Sequence, residues 1–158
     1  SLNPVYEKAC ELKIPLLIHT GHITPPLDAR YAHPARIDAV AARYPELTIV
    51  AAHMGFEWWE ELVKVGRRRP NVATDVSGWQ PTAVVDETSF CDALKGVLNG
   101  MGADRVLFGT DGLVFGRAMK ADEWIKFIRG LSRGAPGDID NRGVESILGL
   151  NAQKLLGL

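Results

Sequence analysis

The chain has 158 residues, of which 46% are hydrophobic and 23% charged, and its formal net charge at pH 7 is -1. This composition is typical of a globular protein and excludes the basic surplus of a nucleic-acid-binding domain. No apolar run approaches the roughly 20 residues that span a bilayer, and the start "SLNPVYEKAC" lacks the pattern of a signal peptide. We therefore expect one domain over residues 1–158 that binds neither nucleic acid nor membrane.

The first half of the chain alternates between predicted helices and strands. "NPVYEKACELK" has the apolar spacing of a helix, and "IPLLIH" is a continuous apolar run typical of a buried strand. The prolines and glycine of "TGHITPPLDARYAH" predict a long loop. "PARIDAVAARY" is the next predicted helix and "PELTIVAAH" the second predicted strand.

The second half continues the alternation. "EWWEELVKVGRRR" is predicted as a helix, "NVATDVSG" as a third strand and "RVLFGTDG" as a fourth. Apolar residues recur at helical spacing over 90–101 and again over 124–131, which predicts two further helices.

After a predicted break at "RGAPGD", the segment "RGVESILGLNAQKLLGL" predicts two short helices, the second of them capped by Asn151. Strands that alternate with helices in this way favour right-handed β-α-β crossovers and a parallel sheet. The near-continuous apolar strands agree, because parallel strands are covered on both faces. The predicted class is therefore α/β with a parallel sheet.

The two cysteines, Cys10 and Cys91, both fall within helix-like patterns. This placement favours reduced thiols in a cytoplasmic protein over a disulfide scaffold. We expect both to be small residues that face the core.

The four predicted strands end on similar segments: "LLIHTG", "VAAHMG", "ATDVSG" and "LFGTDG". Each segment carries a side chain that can bind a metal or transfer a proton, namely His19, His53, Asp75 and Asp111. The carboxyl ends of parallel strands lie at one edge of the sheet, where such folds build their active sites. We therefore expect these four side chains at one rim.

Imidazole and carboxylate ligands together suit Zn²⁺, Fe²⁺ or Mn²⁺. A metal at this rim would activate water or polarise a carbonyl, and a histidine would carry the proton. A single histidine or aspartate at a strand end is more often an ordinary hydrogen-bonding residue, however, and Asp75 can simply fix its loop. The prediction of a site depends on the coincidence of all four.

Three residues are predicted to line a substrate pocket: His22, Trp79 and Asp75. Each also has a purely structural interpretation, since loop histidines are usually solvated and a tryptophan at this position can pack in the core. His33, in the same loop as His22, is expected to be solvated.

Five segments are distinctive in combination: "PLLIHTG", "YPELTIVAAHMG", "NVATDVSG", "RVLFGTDG" and "ILGLNAQKLLGL". Together they resemble the C-terminal half of the amidohydrolase-related family, a group of metal-dependent (β/α)8 enzymes that includes aminocarboxymuconate-semialdehyde and resorcylate decarboxylases. The resemblance extends from Pro4 to Leu158. It implies that the four strands are strands five to eight of a TIM (β/α)8 barrel.

The resemblance also implies roles for the rim residues. His19 and Asp111 correspond to metal ligands, and His53 corresponds to the proton-transfer residue or, in two-metal relatives, to a further ligand. Asp111 is expected to take part in catalysis as well. The implied cofactor is a divalent metal, zinc foremost, with manganese or iron as alternatives. The family's first strand supplies a His-x-His or acidic-x-His pair that this chain lacks, so the metal can be absent here.

Two functions follow as hypotheses. The first is a metal-dependent hydrolase or non-oxidative decarboxylase that acts on a small carboxylated or cyclic substrate. The second is a catalytically incomplete half-barrel that serves as an oligomeric structural or binding domain, because a half-barrel exposes strand edges and apolar faces and is expected to self-associate. A doubly wound nucleotide-binding domain is disfavoured, since "HTGHITPP" is not the glycine-rich turn that such a fold requires.

Overall fold

The computed structural model describes residues 2–133 and 139–158. Its first elements are α1 (Asn3–Leu12), β1 (Leu16–His19), α2 (Ala35–Arg43), β2 (Ile49–Ala52), α3 (Trp59–Arg68) and β3 (Val72–Asp75). There follow α4 (Gln80–Val85), α5 (Glu87–Met101), β4 (Val106–Leu107), α6 (Gly112–Phe115), α7 (Ala121–Gly130), α8 (Asn141–Glu145) and α9 (Asn151–Leu156). The predicted break at "RGAPGD" lies largely outside the described residues.

The four strands form one parallel sheet in the order β1-β2-β3-β4. Its register places Leu17 opposite Val50, and Val50 opposite Ala73. Each strand is joined to the next by a segment that contains helix, as β-α-β crossovers require. The predicted α/β class with parallel strands is thus confirmed.

The main core lies between the outer face of the sheet and the helices that cover it. Its fully buried side chains include Leu62 of α3, Phe90 and Leu94 of α5, and Trp124 of α7. Cys91 lies in this core and half-buried Cys10 packs against it, both as free thiols. Burial of an apolar side chain of leucine size stabilises a fold by about 1.5–3 kcal/mol, so this layer holds the helices to the sheet.

The inner face of the sheet carries a smaller apolar cluster. Val50, Ala73 and Leu107 are buried there, against partly buried residues of α9. Leu17 has the same orientation on β1 but is 68% exposed. In the part of the chain that the structure describes, β1 and β4 each have one edge without a neighbouring strand.

Asn151 does not cap a helix, contrary to the sequence prediction. The chain is helical without interruption from α8 through a π-helical turn at Ser146–Leu150 into α9, so no new helix start is present to be capped. The buried amide of Asn151 instead donates to the carbonyl oxygens of Ala103 and Val106, each at 2.7 Å. It thereby ties the last helix to the beginning of β4.

Among the described residues, no helix has both the length and the apolar character needed to cross a membrane.

Candidate active site at the strand ends

The four predicted rim residues lie at the carboxyl edge of the sheet. His19 and Asp75 are the last residues of β1 and β3, His53 follows β2 directly, and Asp111 follows the loop after β4. A cavity of about 1010 Å³ opens at this edge. It is lined by His19, His22, Ile23, Thr24, Leu27, His53, Phe56, Glu57, Trp79, Thr82, Asp111, Val114 and Phe115. The fold therefore brings five of the six predicted site residues to one cavity.

Asp75 is the exception. It lines a second cavity of about 630 Å³, on the inner face of the sheet, which also reaches His19, His53 and Asp111. Its carboxylate is held by neighbours and does not line the larger cavity. Asp75 thus lies behind His53, in the wall of the smaller cavity that the other rim residues also reach.

His19 and His53 form the centre of the rim. Their ring centroids lie 5.0 Å apart in an edge-to-face arrangement. Burial, and then the nearby His53, lower the pKa of His19 below its ordinary value, although a hydrogen bond with the carbonyl of His22 and the charges of Asp111 and Glu57 partly oppose this. His19 Nε2 lies 3.1 Å from that carbonyl oxygen. A neutral imidazole at this position suits metal binding or proton acceptance.

His53 is held from several directions. Its backbone N–H donates to Oδ1 of Asp75 at 3.1 Å, and its carbonyl accepts from Nε1 of Trp79 at 2.6 Å. Its Nδ1 lies 2.8 Å from Oγ and 3.1 Å from the backbone oxygen of Ser77. These contacts leave Nε2 as the ring nitrogen without a hydrogen bond to the described residues.

The backbone around His53 is strained. His53 and Asp111 both have left-handed φ angles, 67° and 44°. Phe56 has φ 46° and ψ -123°, a region that glycine usually occupies. The Phe56 ring stacks on His53 with centroids 4.8 Å apart and an interplanar angle of 14°. Such strain persists where surrounding contacts hold it, and it is concentrated here at the candidate site.

Glycines make room for this stacked pair. Gly21 and Gly78, in the turns after β1 and β3, have φ angles of 107° and 78°. A Cβ on Gly78 would lie 2.6 Å from the Phe56 ring and 3.1 Å from Nδ1 of His53. The glycines after β1 and β3 therefore let Phe56, in the turn after β2 between them, reach the rim.

The loop that carries Asp111 is fixed by two buried side chains. The amide of Gln80 donates to the carbonyl of Thr110, and Nε1 of Trp124 donates to the carbonyl of Gly109 at 3.1 Å. Gln80 is fully buried, and its Oε1 has no hydrogen-bond partner among the residues that the structure describes. These bonds hold the chain on the strand side of Asp111, whose own conformation is left-handed.

The remaining predicted residues are placed as follows. His22 is exposed at the cavity mouth. Trp79 both lines the cavity and packs in the core, with only 6% of its surface exposed. His33 does not line the cavity and is half-buried against Trp58, with ring centroids 4.7 Å apart.

Sequence reasoning missed Ser77, Phe56 and Gln80. The spacing of Asp75 and Ser77 at a strand end was a usable signal, since serine and aspartate side chains commonly bond to backbone nearby. Nothing in the sequence around Phe56 or Gln80 indicates a role at the rim. Their contacts depend on how neighbouring turns come together.

The donors present fit a metal only in part. His19, His53 and Asp111 share one cavity, but within residues 2–133 and 139–158 no three histidine, cysteine, aspartate or glutamate side chains converge as a metal site. His19 Nε2 is also engaged by the carbonyl of His22. A four-coordinate ion bound here would need ligands beyond these side chains.

The amidohydrolase family model matches residues 1–158. An uncharacterised TIM-barrel protein from Bordetella bronchiseptica is similar in structure, with 28% identity and a TM-score of 0.70 over 99% of this chain and 50% of that one. An amidohydrolase from Burkholderia multivorans with bound zinc matches at 17% identity and a TM-score of 0.73, over 97% of this chain and 56% of that one.

A third similar structure is 2,6-dihydroxybenzoate decarboxylase complexed with 2,6-dihydroxybenzoate. It has 19% identity and a TM-score of 0.61 over 98% of this chain and 54% of that one. No curated protein sequence matches significantly. The chain spans about half the length of these barrel structures, and its four parallel strands agree with the predicted C-terminal half of a TIM barrel.

Proposed function

This chain belongs to the amidohydrolase family, and from that premise we propose that it carries the proton-transferring half of an active site for small carboxylated or cyclic substrates. The reaction is a metal-dependent hydrolysis or a non-oxidative decarboxylation. The observation that carries the proposal is the placement of His53 beside His19 in the wall of one large cavity that Asp111 also lines. Proton transfer requires a titratable group within reach of bound substrate.

His53 is proposed as the proton-transfer residue. Its ring lines the cavity, and its backbone is fixed on both sides by Asp75 and Trp79. Stacking against Phe56 limits rotation of the ring. Residues that hold a general acid or base in one orientation lower the cost of reaching the reactive geometry.

Asp111 and His19 are proposed as the metal ligands that this chain supplies, and Asp111 can alternatively accept a proton. A divalent ion, zinc foremost and manganese or iron as alternatives, would polarise a substrate oxygen or activate water. The presence of zinc in the Burkholderia relative supports this assignment. The described side chains do not by themselves form a complete metal cage.

The cavity walls support a cyclic substrate. Phe56, Trp79 and Phe115 contribute aromatic surface, and no lysine or arginine is among the described residues that line the cavity. A flat ring would pack against such walls by stacking or edge contacts. The decarboxylase relative holds 2,6-dihydroxybenzoate, a carboxylated ring of this kind. We expect His22, at the mouth, to contact the polar end of the substrate.

The proposal is tested by a product assay on protein purified without chelators. Hydroxybenzoates and cyclic lactones are incubated with the chain, with and without added Zn²⁺ or Mn²⁺. Release of CO2 identifies decarboxylation, and ring opening identifies hydrolysis. The proposal predicts one of these products at a rate above the metal-only control. Absence of both products, together with no binding of any of the compounds, would contradict it.

A second candidate function is an oligomeric half-barrel that binds but does not turn over a ligand. The 68% exposure of Leu17 in the middle of a strand favours it, together with the edges of β1 and β4 that no described strand covers. We propose that two copies associate through these strand edges and through the part of the inner face around Leu17 that α9 leaves exposed. Pairing of β4 of one copy with β1 of the other would cover both edges and continue the parallel sheet.

A further inference from the structure

We propose that Ser77, backed by Asp75, fixes the tautomer of His53, so that Nδ1 carries the proton and Nε2 presents a lone pair to the cavity. Asp75 and Ser77 are then positioning residues that act through His53. This role rests on the proposed function, in which His53 transfers a proton, but the tautomer itself can be measured without any reaction.

The direction of the serine hydroxyl follows from the contacts of Asp75. Oδ1 of Asp75 accepts from the backbone N–H of Ser77 at 2.9 Å and lies 2.5 Å from Oγ of Ser77. An ionised carboxylate can only accept hydrogen bonds, so the hydroxyl hydrogen points towards Asp75. A serine hydroxyl has one hydrogen to donate. Its oxygen can therefore only accept from Nδ1 of His53, which lies 2.8 Å away.

A second contact leads independently to the same tautomer. The backbone carbonyl oxygen of Ser77 lies 3.1 Å from Nδ1 of His53. A carbonyl oxygen has no hydrogen to donate, so the contact is a hydrogen bond only if Nδ1 carries a proton. Both partners of Nδ1 thus require the same state of the ring.

The tautomer determines the state of Nε2, the other ring nitrogen of His53. A neutral imidazole has one N–H, so a proton on Nδ1 leaves Nε2 unprotonated. Among the described residues Nε2 has no hydrogen-bond partner, and the ring that carries it lines the large cavity. His53, Asp75 and Ser77 are only 8%, 6% and 5% exposed. Water therefore competes poorly for the bonds to Nδ1, and the stacked ring of Phe56 resists a flip.

This arrangement gives Asp75 a role that matches its position. Its carboxylate does not line the larger cavity and cannot contact a substrate there. The carboxylate accepts hydrogen bonds from the backbone N–H of His53 and from the hydroxyl of Ser77. It orients that hydroxyl, which in turn contacts the His53 ring. Such outer partners commonly decide which histidine nitrogen is available for chemistry.

The test is the long-range proton–nitrogen correlation spectrum of the histidine rings in the full chain, free of metal and at a pH where the rings are neutral. The chain has four histidines, and His53→Gln assigns the signal of interest. We expect His53 to show the Nδ1–H pattern. Loss of one hydrogen bond of about 1 kcal/mol corresponds to an approximately fivefold change in the tautomer ratio, which is the shift expected for Ser77→Ala.

Thr74→Val is the matched control. Thr74 is equally buried and also loses a hydroxyl, but that hydroxyl donates to the carbonyl of Ala51 at 2.5 Å and does not contact His53. Its spectrum should keep the wild-type ratio for His53. A wild-type ring in the Nε2–H form would overturn the proposal, even if Ser77→Ala failed to fold.

An unchanged tautomer ratio in folded Ser77→Ala would show that the serine does not fix the tautomer of His53. Neither measurement uses substrate or metal. Failure of the tautomer proposal is therefore distinguishable from failure of the proposed function. A chain without turnover can still show the Nδ1–H tautomer, and an active chain can lack it.

Discussion

The imidazole rings of His19 and His53 meet edge to face, with centroids 5.0 Å apart, although the two residues are separated by a helix and a long loop. The register of the sheet explains the contact. His19 pairs with Ala52 across the two strands, so the next residue of the second strand reaches the same rim. Backbone pairing of the two strands thereby brings the two titratable groups to the same rim.

The left-handed backbone conformation of His53 should affect the stability of variants at this position. An L residue with a side chain is disfavoured in this conformation and glycine is not, so His53→Gly should be more stable than His53→Ala by about 1 kcal/mol. Both variants lose the same imidazole contacts, so the difference isolates the backbone. Urea denaturation measures it. At exposed Arg67 in the helix α3, the same comparison should reverse in sign. A more stable His53→Ala would contradict the assigned strain.

The hydrogen bonds of Asp38 with two arginines should make the free energy of unfolding depend on pH. Desolvation raises the pKa of Asp38, but hydrogen bonds from Arg69 and Arg68 lower it by more, so its pKa lies below the ordinary value. Such a carboxylate stabilises the fold above its unfolded pKa, and that stabilisation is lost as pH falls through the folded pKa. Asp38→Asn should therefore cost about 0.5–1 kcal/mol at pH 7.

The cost of Asp38→Asn should disappear as the pH falls through the acid range in which the carboxyl becomes protonated. Urea denaturation of both proteins across that range provides the measurement. An equal difference at neutral and at strongly acid pH would show that the two arginines do not stabilise the charged form.

Replacement of Arg105, at the opposite end of the sheet, should lower the stability of the fold strongly. Its guanidinium donates to the carbonyl oxygens of Met101 at 2.6 Å, Gly66 at 2.9 Å and Arg69 at 3.0 Å. Arg105→Met removes these hydrogen bonds from partly buried carbonyl oxygens, of which that of Arg69 still accepts from the N–H of Val72 at 3.1 Å, and it should cost about 2–4 kcal/mol. Exposed Arg67 is the control, since Arg67→Met should change the free energy of unfolding by less than about 0.5 kcal/mol. Equal effects of the two substitutions would contradict a stabilising role for the hydrogen bonds of Arg105.

The exposed inner face predicts self-association. Sedimentation of the wild type at tens of micromolar should show a dimer or larger species, and Leu17→Lys should give a monomer because it places a charge on the joined face. Leu12→Lys is a suitable control, since Leu12 is also an exposed leucine, at 55%, but belongs to the helix α1 and not to a strand. A wild-type chain that sediments as a clean monomer would rule out the paired half-barrel.

The sequence was sufficient to predict the parallel sheet and the position of His19, His53 and Asp111 at its rim. Those predictions depended on strand ends, which follow from local apolar patterning. The contact between Ser77 and His53 could not be predicted, because it forms only when β3 pairs with β2 and brings His53 over Asp75.

Two polar side chains have hydrogen-bond partners that the sequence did not indicate. Asp75, predicted to line the substrate pocket, accepts from neighbouring N–H and O–H groups and lines the smaller cavity. Asn151 resembled a helix cap, yet its partners are carbonyls more than 40 residues earlier in the chain. Long-range partners of single polar side chains leave no periodic signal in a sequence.

Proton transfer at the rim depends most directly on His53, and the turnover rate of a His53 variant is the decisive measurement. In the product assay, His53→Gln should lower kcat by about 100-fold or more, the contribution typical of a positioned acid or base. His33→Gln should stay within about twofold of wild type, because His33 does not line the cavity. If His53→Gln instead turned over substrate at the wild-type rate, proton transfer at this rim would be contradicted.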